Sequence, residues 1–564
     1  MVILLALRLT GAPRDEPGFR YRPDLSGAPA EDFAAEILAH RPRVLVTDLP
    51  LPEGVIENWR QVIPTGPLIL LHHPDHRDRI PTTGLSYHLI HSRNAMAVLS
   101  KAERLMALRL AQPTAPSCPG TKITLVGAGI VNLVTAWQLI NSGYRVQILD
   151  ARPDPRDRLH WSRYGCTMAG ANARMFTFTE ADVYHPGDRP FLFDTPADRG
   201  GWRVRTDSSP LSPEETSWLS EQASMPRWLN GPYGADVYHF NREAERLWQR
   251  LRVASPRLFD SVDLRDGIIR LYPTRAQLER DLARHRRLHL TTRLLTPQQL
   301  SDQEPALADA CGQADLVAAA LEVPGFTLDV HKLVLRLISE LESAGVVMRW
   351  RSPVQAIESD AAGNVVRLVT DDGGVESDHY VISAGLPAGD LLQGTKTAGM
   401  IQGVLGVWLD LPHVDPPPSR SFKLARVGHL AEDTNITVTS GGLILGGGYG
   451  WTGISPHEID QRQLELIASS LRDTAQLYLP KAAATAGSRN TQVRYCIRPW
   501  TASSLGIFES RPTARGGRLV ITGGHNTGGF AQAPAVAAAV LAALRGRRHL
   551  MHGLYHPERM RRLR

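Results

Sequence analysis

The chain has 564 residues, of which 43% are hydrophobic and 21% charged, with a formal net charge of +6 and four cysteines. This composition is typical of a globular protein of several domains and excludes a small disulfide scaffold. Because no two cysteines form a CxxC pair, we predict neither disulfides nor a zinc site, and we expect a cytoplasmic protein. No segment is long and apolar enough to span a membrane, and no central basic block favours nucleic acid.

The first 110 residues alternate between predicted strands and helices, which indicates a doubly wound α/β unit with a parallel sheet. The strands are predicted at "VILLAL", "RVLVTDLPLP", "PLILLHH" and "LSYHLI", and the helices at "AEDFAAEILAH" and "NAMAVLSKAERLMALRLA". The stretch "AQPTAPSCPG" (111–120) then predicts a linker.

This unit resembles response-regulator receiver domains, with Asp48 at the phospho-acceptor position. The acidic pair expected after the first strand is missing, since that place reads "LRLTGAP". Histidines (His72 or His73, and His91) replace the usual threonine and lysine. The resemblance therefore implies an unphosphorylated domain that serves docking or homo-oligomerisation. We predict no metal at His72, His73 and His76, because no carboxylate or fourth ligand lies at a useful spacing.

A dinucleotide-binding fingerprint occupies "KITLVGAGIVNLVTAWQLINSGYRVQILD", from Lys122 to Asp150. Gly127 permits the tight turn, Gly129 lets the backbone approach a pyrophosphate, and the following helix directs free N–H groups at the phosphates. Asn132 stands where a third glycine is expected, and we predict that it strains the packing of helix on strand. Asp150 is positioned to bind a ribose. The predicted contacts of this segment are Gly127, Gly129, Ile130, Val131, Asn132, Asp150, Ala151 and Arg152.

The strand pattern resumes only much later, at "HYVISAG" and "GRLVITGGHNTGGF". Such interleaving favours FAD over NAD and predicts a discontinuous Rossmann-type FAD-binding domain with an antiparallel-sheet substrate domain, α+β in class, beside the N-terminal α/β unit. The predicted boundaries are 1–110 (receiver-like domain), 111–120 (linker), 121–200, 326–395 and 495–564 (FAD-binding domain and basic tail), and 201–325 and 396–494 (substrate domain). We interpret the tail as a solvated helix and terminus.

Five motifs resemble the amine- and amino-acid-oxidising flavoproteins that include glycine oxidase and D-amino-acid dehydrogenase. They are "LTPQQLSDQEPAL", "GFTLDVHKLVLRLISELESAGVVMRW", "YVISAGLPAGDLL", "RYCIRPWTASSLGIF" and "TGGHNTGGFAQAPAVAAAV". The resemblance implies noncovalent FAD, with a helix near Ala531 directing its positive end at the flavin. It also places further flavin contacts at Gly170, Asn172, Arg174, Val354, Gly385, Gly524, His525, Asn526, Gly528, Gly529 and Phe530.

The same resemblance implies that Arg498 binds a substrate carboxylate. A strand period of two puts Arg494 on the same face, where it is a second clamp or forms a structural salt bridge. His525 and Tyr449 are further candidates for substrate contact, with structural packing as the alternative for each. Cys496 replaces the glycine found in the family two positions before the arginine, which puts glycine or an ordinary D-amino acid in doubt as substrate.

We therefore predict an FAD-dependent oxidoreductase that oxidises the C–N bond of an amino acid or carboxylated secondary amine, with oxygen or a quinone as electron acceptor. The unusual substrate side suggests an N-substituted or hydrazine-linked amino acid in specialised metabolism. Two alternatives remain open: an FAD monooxygenase, for which no second nucleotide fingerprint is found, and a flavin-binding redox-regulatory protein.

Overall fold

The computed structural model describes two compact units, which consist of different segments of the chain. Unit 1 comprises Met1–Pro113, Ser224–Gly234 and Arg548–Arg564, and unit 2 comprises Thr114–Ala223 and Ala235–Arg547. The described residues are 3–11, 17–47, 53–63, 69–72, 86–111, 116–118, 120–157, 174–180, 210–290, 292–386, 390–425, 430–431, 433–453, 459–487, 493–526 and 528–561.

Unit 1 contains a five-stranded parallel sheet with the strand order β2-β1-β3-β4-β5. This is the flavodoxin-like order of doubly wound α/β proteins, so the predicted class is confirmed. The short strand β2 was not predicted, and Asp48 and His73 lie outside the described residues, so the likeness to receiver domains stays a prediction. The elements are β1 (Ile3–Ala6), β2 (Phe19–Tyr21), α1 (Ala30–His40), β3 (Val44–Thr47), α2 (Glu53–Val62), β4 (Ile69–His72), β5 (Ser86–Leu89) and α3 (Ala95–Leu108).

Unit 2 carries the remaining sheets and most of the helices. Its strands are β6 (Lys122–Val126), β7 (Arg145–Leu149), β8 (Met175–Thr177), β9 (Arg265–Tyr272), β10 (Arg293–Leu295), β11 (Ala319–Thr327), β12 (Val347–Arg349), β13 (Val354–Ser359), β14 (Val365–Thr370), β15 (Gly373–Val375), β16 (His379–Ile382), β17 (Ile401–Leu411), β18 (Ser421–Leu424), β19 (Asn435–Thr439), β20 (Gly442–Gly453), β21 (Val493–Thr501), β22 (Ile507–Pro512) and β23 (Arg518–Gly523). Its helices are α4 (Ile130–Ile140), α5 (Pro213–Ala223), α6 (Asn230–Ala254, which begins in unit 1), α7 (Arg275–Arg287), α8 (Pro297–Gln303), α9 (Ala308–Cys311), α10 (Val330–Ser343), α11 (Gln461–Tyr478), α12 (Pro480–Gly487) and α13 (Gly529–Leu544).

The cofactor sheet, as we call the six-stranded sheet of unit 2, has the order β12-β7-β6-β16-β23-β22. All its neighbours pair in parallel except β22 with β23. The carboxyl ends of β6, β7, β16 and β23 therefore meet at one edge, where ligands of open α/β sheets bind. Segments 127–132, 150–152, 383–385, 524–526 and 528–529, far apart in sequence, are brought together at this edge.

The substrate sheet, as we call the nine-stranded sheet, has the order β10-β11-β9-β18-β19-β20-β17-β21, with β8 paired to β11. Leu405, Val407 and Leu409 of β17 face a core that includes Ile467 and Leu471 of α11. Because side chains alternate along a strand, the even-numbered residues of β17 face the opposite side of the sheet.

Two features of the substrate sheet differ from the sequence-based prediction. Residues 400–495 were predicted to form antiparallel strands, whereas α11 and α12 occupy much of their second half. The Asp460 side chain caps α11 by accepting from the N–H groups of Arg462 and Gln463. In addition, β21 belongs to the substrate sheet, so the predicted boundary at residue 494 moves beyond Thr501.

The basic C-terminal tail folds as part of unit 1, as α14 (Leu550–Leu554) and α15 (Glu558–Arg561). Met551 and Leu554 are fully buried. Arg559 donates to both carboxylate oxygens of Glu103 on α3, at 2.6 and 2.5 Å, and its guanidinium lies 4.4 Å from the ring centroid of Tyr233. The interpretation of this tail as solvated is therefore wrong: its apolar face and its arginine are both buried.

Candidate active site

The turn after β6 has the backbone geometry that the fingerprint requires. Gly127 has φ of +93°, and a Cβ at this position would lie 2.7 Å from the carbonyl oxygen of Ser383, which follows β16. Only glycine meets both conditions without strain. The close approach of these two strand ends leaves the edge of the cofactor sheet lined by backbone.

Two helices begin at this edge without a side-chain cap. The N-cap of α4 is Gly129 and that of α13 is Gly528, and neither makes a side-chain capping hydrogen bond. The first N–H groups of a helix have no partner within the helix, and they carry the positive end of its dipole. Both N-termini therefore suit an anion, as predicted for the pyrophosphate (at Ile130 and Val131) and for the flavin (at Gly529).

Asn132 forms hydrogen bonds that the sequence analysis did not predict. Its side-chain Nδ2 donates to the carbonyl oxygens of Val126 and Gly127, both at 2.8 Å, and the residue is fully buried. The amide thus links the first turn of α4 to the end of β6. The third glycine of the fingerprint is replaced here by hydrogen bonds rather than by poorer packing.

Asp150 ends β7 beside this turn. Its carboxylate accepts from the N–H of Ala128 at 2.6 Å and from that of Arg152 at 2.7 Å. Burial raises the pKa of Asp150, and the two backbone N–H groups oppose this shift. The carboxylate is therefore fixed next to the phosphate-binding turn, at the place predicted for the ribose, while Ala151 and Arg152 are exposed.

The other predicted cofactor residues of the early and middle segments fall into three groups. Gly385, with φ of +70°, follows β16 close to Gly127, and Val354 is half-buried at the start of β13. Arg174 has φ of +52° and forms an ion pair with Asp329 at 3.2 Å. Gly170 and Asn172 lie outside the described residues.

The loop after β23 is hydrogen-bonded to the end of β21. Asn526, with φ of +54°, accepts at its Oδ1 from the N–H of Thr501 at 3.1 Å, and its own N–H donates to Pro499 at 3.2 Å. Gly524 has φ of +63°. The loop predicted to pass the flavin is thereby connected to the strand that carries Arg498. Phe530 packs against Phe176, with ring centroids 6.0 Å apart.

His525 lies within this loop and is buried. Its Nε2 is 3.2 Å from Thr522 Oγ1. Burial lowers the pKa of His525 to about 4, so the imidazole is neutral near pH 7. At this position it can donate or accept a hydrogen bond but carries no charge.

Arg498 lies on the face of the substrate sheet opposite α11 and is half-buried. Its Nη1 donates to the carbonyl oxygen of Gly448 at 3.1 Å. The guanidinium carbon is 4.9 Å from the ring centroid of Tyr449 and 5.5 Å from that of Trp408. Among the described residues no carboxylate forms an ion pair with Arg498. The side chain is thus held in place by a hydrogen bond and two aromatic rings, without an ion pair to any carboxylate that the structure describes.

Arg494 shares this face, as predicted, but has a different partner. It is buried and forms an ion pair with Asp410 on the neighbouring strand β17. This is the salt-bridge alternative that the sequence left open. Of the two arginines, Arg498 is the one with a guanidinium available to an acidic ligand.

Cys496 lies between these arginines on the same face. Burial raises the pKa of its thiol to about 11, so the thiol is neutral at any physiological pH. Its partner across β17 is Gly406.

Trp408, Gly406 and Gly446 are site residues that the sequence analysis missed. A Cβ on Gly406 would lie against Nη2 of Arg498, and one on Gly446 would lie against the indole ring of Trp408. These residues are placed near Arg498 by the strand register, which pairs Trp408 with Gly446 and Gly406 with Cys496. That register could not be read from the sequence.

Comparisons with known proteins agree with this geometry. Residues 122–544 match the family model "FAD dependent oxidoreductase" (DAO). The chain belongs to this family. Its cofactor is FAD, and the glycines, the uncapped helix N-termini and Asp150 at the edge of the cofactor sheet fit that dinucleotide.

Relatives of known activity include two D-amino acid dehydrogenases. That of Allorhizobium ampelinum is 24% identical over 344 residues, which are 56% of this chain and 76% of the relative. That of Chromohalobacter salexigens is 26% identical over 345 residues, or 55% and 75%. The chain is therefore an FAD-dependent oxidoreductase with amino-acid dehydrogenases among its relatives.

Two solved structures share the fold. Glycine oxidase from Bacillus cereus has a TM-score of 0.51 at 14% identity, covering 76% of this chain and 96% of the other. L-Proline dehydrogenase from P. horikoshii has a TM-score of 0.53 at 15% identity, covering 79% and 99%. Among the described residues, no helix has the length and hydropathy to cross a membrane, and no cluster of three or more His, Cys, Asp or Glu side chains could hold a metal.

Proposed function

We propose that this protein oxidises the C–N bond of a carboxylated amine, either an amino acid or an N-substituted amino acid, and that Arg498 binds the carboxylate. Bound FAD would supply the acceptor for the hydride that leaves the carbon next to nitrogen, and water would then hydrolyse the resulting imine to an amine and an aldehyde or oxo acid. The named activities of the relatives, on D-amino acids, glycine and L-proline, support this reaction class.

The observation that carries the proposal is that, within the part of the chain that the structure describes, the Arg498 guanidinium pairs with no carboxylate. A half-buried guanidinium that pairs with no carboxylate destabilises the fold, because the loss of hydration is not offset by an ion pair. A substrate carboxylate would supply the missing charge through bidentate hydrogen bonds. The hydrogen bonds between Asn526 and β21 keep this arginine in register with the loop that follows β23.

Two other groups near Arg498, the imidazole of His525 and the thiol of Cys496, carry no charge near neutral pH, and the charge of Arg494 is paired with Asp410. His525 and Cys496 are both neutral there, for the reasons given above. Hydride transfer needs the substrate amine in its neutral form, and these side chains offer no carboxylate that would hold it protonated. The chain's contribution is thus to position the substrate and leave its nitrogen unpaired. Cys496 lies beside Arg498 where the family resemblance implies a glycine, and this departure favours an N-substituted substrate of specialised metabolism over glycine.

The test compares carboxylated amines with the same amines lacking the carboxylate. N-Benzylglycine and N-methylbenzylamine form one such pair, and proline (both enantiomers) and pyrrolidine form another. Flavin reduction is followed anaerobically in the wild type, Arg498→Leu and Arg494→Leu. We expect Arg498→Leu to lower kcat/KM for the carboxylated member between about thirtyfold and a few thousandfold, and to leave the other member unchanged.

Arg472 on α11 provides a matched control, because it is an exposed arginine paired with Glu465. Arg472→Leu should leave both rates at the wild-type value. Retention of carboxylate-dependent turnover within a few-fold in Arg498→Leu would contradict the assignment. A selective loss in Arg494→Leu would move the clamp to that residue.

A further inference from the structure

We propose that Trp408 is a positioning residue that, together with Tyr449, fixes the Arg498 guanidinium. This inference rests on the proposed function, since it concerns how the arginine is presented to a substrate carboxylate. Trp408 contacts Arg498 rather than the substrate. We call Trp408, Arg498 and Tyr449 the arginine stack.

The stack is defined by two ring contacts and one hydrogen bond. Tyr449 on β20 and Trp408 on β17 both lie within the range of a cation–π interaction with the guanidinium, at 4.9 and 5.5 Å. Tyr449 and Trp408 are 4% and 2% exposed, so both rings are buried while the guanidinium itself is half-buried. The hydrogen bond from Nη1 to Gly448 fixes the rotation of the guanidinium within its own plane.

Two glycines make room for the stack on the surface of the sheet. A Cβ on Gly406 would lie against Nη2 of Arg498, 2.7 Å from its Cζ and 2.6 Å from Cη2 of Trp408. A Cβ on Gly446 would lie against Cδ1 and Nε1 of Trp408. The indole and the guanidinium therefore lie close over the backbones of β17 and β20, where any other residue would displace them.

The arrangement decides how a carboxylate can approach. Aromatic rings lie beside the guanidinium on two strands, the Gly448 carbonyl accepts from Nη1, and Nη2 lies over the backbone of Gly406, so the plane of the guanidinium is fixed and a carboxylate must approach the N–H groups that these contacts leave. Bidentate recognition of a carboxylate depends on this plane being fixed, because both N–H bonds must point at the two oxygens together. A guanidinium that could rotate would keep its charge but lose this geometry.

The probe for the stack is benzoate, titrated into the FAD-loaded protein and followed by the change in flavin absorbance. Benzyl alcohol, which has the same ring without the charge, is the control ligand. We expect Trp408→Leu to weaken benzoate binding by about five- to twentyfold, with binding of benzyl alcohol unchanged. Trp408→Phe should bind benzoate within about threefold of the wild type. The indole N–H makes no hydrogen bond among the described residues, so phenylalanine removes none.

Gly406→Ala tests the same inference without changing a ring or a charge. The added methyl group should displace the guanidinium and weaken benzoate binding at least as much as Trp408→Leu. Gly441→Ala is the matched control, because Gly441 lies in the turn before β20 with open space around its Cβ position. Thermal melting of all variants separates loss of the stack from loss of the fold.

The outcomes distinguish this inference from the proposed function. Wild-type binding of benzoate in Trp408→Leu and Gly406→Ala, together with its loss in Arg498→Leu, would overturn the stack and leave the clamp in place. Unchanged benzoate binding in Arg498→Leu, or none in the wild type, would remove the clamp and the stack with it. Weaker benzoate binding in Trp408→Leu and Gly406→Ala, together with nearly wild-type binding in Trp408→Phe, would establish Trp408 as the positioning residue.

Discussion

The cofactor sheet and the substrate sheet of unit 2 build their parts of the site from different chemical groups. At the edge of the cofactor sheet the groups are mostly backbone: glycine turns, helix N–H groups and carbonyl oxygens. On the substrate sheet they are side chains: Arg498 and the rings of Tyr449 and Trp408. These side chains pack over glycines of β17 and β20. A backbone site demands particular residues at fixed local spacing, whereas a side-chain site demands only that distant residues meet.

The largest effect should come from breaking the backbone part at Gly127. Gly127→Ala places a Cβ 2.7 Å from the Ser383 carbonyl at a φ of +93°. We expect FAD affinity to fall by about two orders of magnitude, since strain of this kind amounts to about 3 kcal/mol. Flavin content after dialysis measures it, with Gly120→Ala as control, a glycine of positive φ with open space. Equal flavin content in both variants would show that the turn at Gly127 does not contribute to FAD binding.

Substitutions of Asn132 test whether its side chain links α4 to the end of β6, at the position where the fingerprint has a glycine. Asn132→Ala removes the two hydrogen bonds to Val126 and Gly127, and we expect the free energy of unfolding to fall by about 2 kcal/mol. Asn132→Asp should be worse, because it sets carboxylate oxygen against carbonyl oxygen. Chemical denaturation measures both variants, and FAD should still bind to each. A more stable alanine variant would mean that the strain predicted from the sequence is real.

The pH dependence of stability tests a buried histidine of the cofactor sheet. Burial lowers the pKa of His379, at the start of β16, to about 4, and its Nδ1 accepts from the N–H of Arg518 at 2.9 Å. Between pH 6.5 and 4 the unfolded state takes up a proton that the folded state refuses. Stability should therefore fall as the pH drops through this window, by up to about 1.4 kcal/mol per unit.

His379→Asn keeps a hydrogen-bond acceptor and cannot titrate between pH 6.5 and 4. This variant should therefore lose the part of the pH dependence of stability that His379 contributes. Melting temperatures measured from pH 7 to pH 4.5 in both proteins give the difference. Parallel curves would show that His379 is protonated in the folded state.

The smallest effect concerns the substrate side at Cys496. Cys496→Gly restores the family residue and removes a neutral thiol beside Arg498. We expect the preference for N-benzylglycine over glycine to shift by less than about tenfold in kcat/KM, toward glycine. Cys118→Gly is the control, since that cysteine is exposed. A loss of activity toward both substrates would indicate that the thiol takes part in more than shaping the site.

What the sequence could predict follows the same division. The fingerprint strand, helix and acidic end were predicted because Gly127, Gly129 and Asp150 act through local backbone geometry. The stack of Trp408 on Arg498 was not, because it depends on the register of β17 between β20 and β21. The pairings that set this register span 32 to 50 residues with β20 and 84 to 100 residues with β21. Asn132 was misread for a related reason, since a side chain can replace a glycine when carbonyl acceptors lie within its reach.

The burial of the C-terminal residues in unit 1 has a consequence for the order in which the protein is made. The sheet of unit 1 is synthesised first, yet Glu103 on α3 meets Arg559 only after all of unit 2 has left the ribosome. The nascent N-terminal unit must therefore carry an unpaired carboxylate and an uncovered apolar helix face through most of translation. The stability of unit 1 therefore depends on chain segments that lie on both sides of unit 2 in the sequence.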